Sequence, residues 1–180
     1  MDAIEMLLKR RSCRAYKPQQ ITDEELHTIL DCGLNAPSGS NKQGAKIIVV
    51  QEAEKIAALS RMNAAVMGRE GSDPFYGAPT LCLIVAPRDA GYDGSAKFAL
   101  NPVKDGSLVI GAMQDAAFAL GIGSCWINRC KEMLESAEGA ALMKQLGLED
   151  YQGVGCCILG YPQSDTYSEK KIKPGRVIYY

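Results

Sequence analysis

DGSLVIGAMQDAAFAL at residues 105–120 runs directly into GIGSCWIN at 121–128, and the architecture turns on this pair. From Asp105 to Leu120 nearly every side chain is small or apolar, with Leu108, Val109, Ile110, Ala112, Met113, Ala116 and Ala117 spread around the helical circumference. A helix that is apolar all round is buried on most sides. That is more cover than one small core provides, so a second copy of the chain is expected to supply the rest. Gly121 and Gly123 end the helix, and Ser124 to Ile127 reads as a short strand.

Outward from this centre the chain alternates helices with short buried strands. Ile4, Leu7 and Leu8 recur at helical spacing, which predicts a helix over 2–10. Thr22 and Glu25 form a capping box for a second helix, its buried face made by Leu26, Ile29, Leu30 and Leu34 and its end set by Pro37. Ile47–Val50 reads as an apolar strand, 53–66 as an Ala-rich helix, and Thr80–Ala86 as a second strand. Residues 87–105 read as an irregular connection, long enough to be a lid or an interface loop. Beyond the centre come a helical stretch over 131–146, a strand over Gly153–Gly160 and a β-prone end, Val177–Tyr180. The rhythm is not a strict βαβ repeat. It predicts an α+β fold, a mixed β-sheet sandwiched between helices, in one domain spanning 1–180.

Composition excludes several classes of function. Twenty basic and 21 acidic residues leave a net charge of -1, without the basic excess of a nucleic-acid-binding surface. No apolar run approaches the roughly 20 residues that cross a bilayer. The start, Met1-Asp2-Ala3, lacks the basic and apolar features of a signal peptide, so the cytoplasm is the expected location. The cysteines number seven and His27 is the only histidine, with no Cys-x-x-Cys, so no zinc site is expected. Cys82, Cys125, Cys156 and Cys157 lie in apolar runs, where a thiol packs as a small hydrophobe.

Four stretches suit ligand chemistry. Arg10-Arg11-Ser12-Cys13-Arg14 sets three guanidinium groups and a hydroxyl at a helix end, a donor set that matches phosphate oxygens; it equally describes a solvated cap on the helix's negative end. Pro37-Ser38-Gly39-Ser40-Asn41 permits close backbone approach to a polar ligand, or is an ordinary turn. Gly121 to Asn128 is suited to bring backbone groups against a flat ring, or is a helix cap before a core strand. Lys170 to Arg176 is a basic tail of the kind usually left in solvent.

Taken together and in this order, these stretches resemble the nitroreductase family. The resemblance rests on Arg-Arg-Ser-x-Arg after the first helix, Pro-Ser-Gly-Ser-Asn after the second, Leu-Gly-Ile-Gly-Ser-Cys-Trp-Ile late in the chain, then Gly-Tyr-Pro and a basic tail. It covers about residues 4 to 176. It implies an intertwined homodimer with FMN at the interface. It also implies that Arg10 and Ser12, helped by Arg11, hold the FMN phosphate and ribityl chain, and that Arg14 approaches the pyrimidine side of the flavin. Pro37, Ser38, Gly39, Ser40, Asn41 and Gln43 would reach the cofactor from the second subunit. Trp126, Ile127, Asn128 and Arg129 would line the ring's other face, and Lys173 and Arg176 would close over the phosphate. The chain departs from the family in two places. Gln43 is followed by Gly44-Ala45 rather than Pro-Trp, and Asn128-Arg129 stands where many members have two glycines.

The implied activity is that of an FMN-dependent oxidoreductase using NADH or NADPH and a small-molecule acceptor: a nitroaromatic, a quinone or a free flavin. The flavin does the chemistry, so no side chain is singled out as catalytic. The alternative is an FMN carrier or sensor without rapid nicotinamide turnover.

Overall fold

The computed structural model describes residues 2–88, 100–164 and 169–180. The elements are α1 (Ala3–Lys9), α2 (Asp23–Leu34), β1 (Lys46–Val50), α3 (Ala53–Val66), β2 (Thr80–Pro87), α4 (Asn101–Ala119), β3 (Gly123–Ile127), α5 (Cys130–Glu135), α6 (Ala137–Gln145) and β4 (Tyr151–Gly160), with a 3-10 turn at Gly39–Asn41. The strands form one sheet in the order β1-β2-β4-β3.

The expected sheet between helices is present, and its four strands pair antiparallel throughout. Among the described residues, parallel pairing is confined to an isolated bridge, Ser12 to Ser124. The sequence predicts a mixed sheet; apolar runs of this kind mark strands covered on both faces. Here both faces are covered although the pairing is antiparallel. Side chains alternate accordingly. Leu81, Leu83, Val85, Cys156 and Ile158 face Leu59 of α3, Met133 of α5 and Met143 of α6. Cys82, Ile84, Cys157 and Leu159 face Leu26 and Ile29 of α2 and Ile110, Met113 and Ala117 of α4.

Three boundaries differ from expectation. Helix α4 begins at Asn101, because Pro102 sits in the first turn where its missing N–H costs nothing; most of the expected 87–105 connection lies outside the described residues. The stretch 131–146 is two helices, since Ser136 ends α5 and caps α6 by accepting from Gly139 N at 3.1 Å. The end at Val177–Tyr180 forms no strand within the chain and is exposed throughout.

The capping box of α2 is as expected. Thr22 Oγ1 accepts from Glu25 N at 3.2 Å, and Glu25 Oε2 accepts from Thr22 N at 2.8 Å and from Tyr161 OH at 2.6 Å. Burial pushes the Glu25 carboxyl up, but the hydrogen bonds from Tyr161 and Thr22 outweigh it and hold the group below the usual range. A carboxyl that ionises more readily folded than unfolded contributes stability at neutral pH that is lost as the solution is acidified through its titration. Thr22→Ala is expected to cost about 1 kcal/mol in denaturant titrations at pH 7. The difference from the parent should shrink in acid; a constant difference would mean that Glu25 takes no part.

Candidate functional site

The arm after α1 lies along β3, which is an edge of the sheet. Cys13 N donates to Ser124 O at 2.8 Å, and Cys13 packs so closely on Gly123 that a Cβ there would fall 2.7 Å from its Sγ. Pinned this way, the arm sets its cations beside the strand. Arg10 Nε lies 3.4 Å from Asp115 Oδ1 of α4, while Arg10 Nη1 is buried with no hydrogen-bond partner. Burial raises the Asp115 carboxyl, and Arg10 offsets this only in part. Arg11 Nη1 donates to Leu8 O at 2.7 Å and to Arg10 O at 2.8 Å, at the C-terminal end of α1.

A cleft of about 450 Å³ opens where β3 ends, lined by Arg14, Trp126, Ile127, Asn128 and Arg129 among others. The indole of Trp126 lies on the α4 side of the sheet, over Gly155, where an added Cβ would come within 2.8 Å of the ring. Arg129 takes a left-handed conformation with φ 67°, its N–H donating to Asn128 Oδ1 at 2.9 Å and its Nη1 to Glu132 Oε1 at 2.8 Å. Cys125 is shifted up by burial, with Arg14, Ser12 and Arg10 acting the other way. Cys82 is pushed up to about 12 by burial alone, so it packs as a neutral thiol, as its apolar surroundings suggested.

The Pro37–Gln43 loop sits elsewhere. Gly39 N donates to the buried carboxylate of Asp105 at 3.0 Å, Gln43 N to Ser38 Oγ at 2.9 Å, and Gln43 Nε2 to Asn41 Oδ1 at 3.0 Å. Ser40, Asn41 and Gln43 all have φ between 50° and 55°. Each such non-glycine residue is strained, and strain of this kind persists where surrounding structure enforces it, often at ligand sites. Asp105 and Asp115 stand ten residues apart on α4, so at 1.5 Å per residue the loop and Arg10 are about 15 Å apart along the helix. Within the chain the predicted residues therefore fall into two groups. Lys173 and Arg176 join neither, lying in an exposed tail.

Sequence reading missed several residues at the cleft. Asn63 of α3, fully buried, donates from Nδ2 to Asn128 O at 3.1 Å and holds the turn after β3; a polar residue in an Ala-rich helix gave no signal of this. Asp73 accepts from Ser60 Oγ at 2.6 Å, Phe75 N at 3.0 Å and Gly77 N at 2.6 Å. Arg69 also lines the cleft, and Gly68 directly after the α3 pattern was the available clue.

A single buried, unpartnered guanidinium nitrogen beside a hydroxyl and a second arginine is a donor set suited to a phosphate. The residues therefore fit the phosphate end of a flavin nucleotide. Comparison with known proteins agrees with this chemistry. The sequence model described as the nitroreductase family matches residues 7–161. Over 183 residues the chain is 30% identical to an Archaeoglobus fulgidus protein provisionally named NADH dehydrogenase/NAD(P)H nitroreductase, covering 98% of this chain and 96% of that one. It superposes on a nitroreductase with bound FMN from Bacteroides fragilis with a TM-score of 0.86 at 27% identity, covering 100% and 99% of the two chains. An FMN-dependent nitroreductase from Clostridium difficile gives 0.76 at 27% identity, with 98% of each chain covered. With one family model spanning residues 7–161, the arginine arm and the end of β3 included, the chain belongs to the nitroreductase family.

Proposed function

We propose that this chain is an FMN-dependent NAD(P)H oxidoreductase that works as a homodimer and reduces a small-molecule acceptor such as a nitroaromatic, a quinone or a free flavin. The observation that carries the reading is Arg10 Nη1, a buried donor without a partner in the arm that flanks β3. Bound FMN would supply the redox chemistry, taking electrons from NAD(P)H and passing them to an acceptor that enters the same slot in a ping-pong order.

The chain's own residues bind and tune. Arg10 and Ser12 hold the phosphate and ribityl chain, with Arg11 fixing the end of α1 behind them. Arg14 places a positive charge at the pyrimidine side, where reduction concentrates negative charge. Ile127, Asn128 and Arg129, with the backbone of Trp126, line the ring. Pro37, Ser38, Gly39, Ser40, Asn41 and Gln43 reach it from the second protomer, and Lys173 and Arg176 of the tail close over the phosphate. Two observations support the dimer. The loop and the arm are separated along α4, so one protomer does not complete the site. Ile4, Leu7 and Leu8, close together on the short helix α1, are large apolar residues each at least 53% exposed, a face that a second chain would cover.

Among the described residues no helix is long and apolar enough to cross a membrane. The test is an anaerobic absorbance spectrum of the purified protein before and after NADH and then NADPH, with light scattering on the same sample. Yellow protein of dimer mass that bleaches on mixing is expected. Yellow protein that does not bleach would favour a flavin carrier, and a soluble holo-monomer would overturn the shared site.

A further inference from the structure

The cleft at the end of β3 is more positive than the chain around it. Three arginines line it, Arg14, Arg69 and Arg129, against one carboxylate, Asp73, in a protein whose net charge is -1. Asp73 is already committed: both its oxygens accept short hydrogen bonds from its own loop and from Ser60. No ion pair within 4 Å joins it to a cation among the described residues, so the three arginines outnumber it in the cleft. Arg14 belongs to the flavin in the reading above. Arg129 shares its guanidinium with Glu132. Arg69 has no carboxylate within 4 Å among the described residues.

The backbone beneath Arg69 is held on both sides. Helix α3 ends with Gly68 at φ 62°, and Arg69 N reaches back to Ala64 O at 2.9 Å while Gly68 N reaches Ala65 O at 3.0 Å. This paired closure needs a left-handed residue at Gly68, which is why a glycine stands there. On its other side Arg69 O accepts from Ser72 N at 3.1 Å and Ser72 Oγ at 2.7 Å. A cation on so constrained a backbone loses less freedom when it grips a ligand.

We propose that this cleft selects reactants bearing an anionic oxygen group, held by Arg69 with Arg129 as the second positive charge. The inference rests on the oxidoreductase reading and adds the class of substrate. Two reactants offer that chemistry: an aromatic acceptor with a carboxylate, or NADPH through the 2′-phosphate that NADH lacks. Planar guanidinium forks suit either.

The experiment compares the purified protein with Arg69→Gln in three arms. Calorimetric titration measures benzoate against its uncharged isostere benzamide. Steady-state kinetics compare 4-nitrobenzoate with 4-nitrobenzamide. Anaerobic flavin reduction compares NADPH with NADH. A carboxylate site predicts about tenfold tighter binding of benzoate and a similar kcat/KM preference for the charged acceptor, the equivalent of about 1.4 kcal/mol. Arg69→Gln should reduce the preference to near unity while flavin content and turnover of the amide are unchanged. About 1 M salt, where the screening length is about 3 Å, should erode it in the parent. A preference for NADPH that Arg69→Gln abolishes, with no acceptor preference, would assign the anion to the nucleotide. Equal treatment of charged and neutral partners in all three arms overturns the proposal, and so does a preference that survives Arg69→Gln. Colourless protein would sink the flavin reading, yet the benzoate titration would still decide whether the cleft binds anions.

Discussion

Arg10→Ala should weaken FMN binding by about ten- to a hundredfold while shifting the stability of the apoprotein by no more than about 1 kcal/mol. The two effects separate because Arg10 makes two kinds of interaction. Its Nε faces Asp115 at 3.4 Å with both side chains about a third exposed, and partly solvated pairs of this kind contribute little. Its Nη1 is buried and unpartnered, an arrangement that disfavours the empty state and favours an incoming anion. Hydrogen bonds from a charged donor contribute about 1.5–3 kcal/mol, which sets the expected range. Arg10→Lys keeps the charge but loses the fork, so it should fall between. Fluorescence titration of FMN into apoprotein, beside thermal melts, checks both halves. An unchanged dissociation constant in Arg10→Ala would remove the residue from the site.

Gly153→Ala should destabilise the protein by about 3 kcal/mol, the upper end of overpacking costs, or about 6–12 °C in melting temperature for a chain of this size. A Cβ at this position would lie 2.6 Å from both the carbonyl carbon and oxygen of Cys130 and 2.7 Å from Lys131 N. Those are backbone atoms at the start of α5 and cannot swing aside as a side chain would. Gly153 also flanks the register shift of β4 against Ile84 and Val85. Relief would push α5 outward and carry Asn128 and Arg129 with it, so ligand affinity should fall alongside stability. A melt within about 1 °C of the parent would mean that the β4–α5 contact yields more readily than its geometry indicates.

The elements of the fold were legible wherever side-chain pattern alone sets them. The strands at Ile47–Val50 and Thr80–Ala86, the capping box at Thr22 and the helix 53–66 lie where periodicity put them. Strand direction was not legible, because a sheet buried on both faces has the same apolar runs whichever way its strands point. The break at Ser136 was missed although Ser-x-x-Gly sits there: Ser136 caps α6, and Gly139 lets that helix start against the backbone of Leu134. Of the candidate site, the arm and the end of β3 are brought together in the chain, and the Pro37–Gln43 loop is set apart. Residues that act through tertiary contact alone, Asn63 on Asn128 above all, leave no local trace. Their role depends on a partner 65 positions away.

The bridge between Ser12 and Ser124 also sets an order of events during synthesis. These residues are 112 positions apart, and a ribosome adds roughly 5–20 residues per second. The arginine arm therefore emerges and waits on the order of ten seconds for the strand that will hold it. β4, which lies beside that strand in the sheet, arrives later still. Helix α1 has no buried residue to anchor the arm meanwhile. The arm thus stays unpinned through most of elongation, and its seating against β3 belongs to the final stage of maturation.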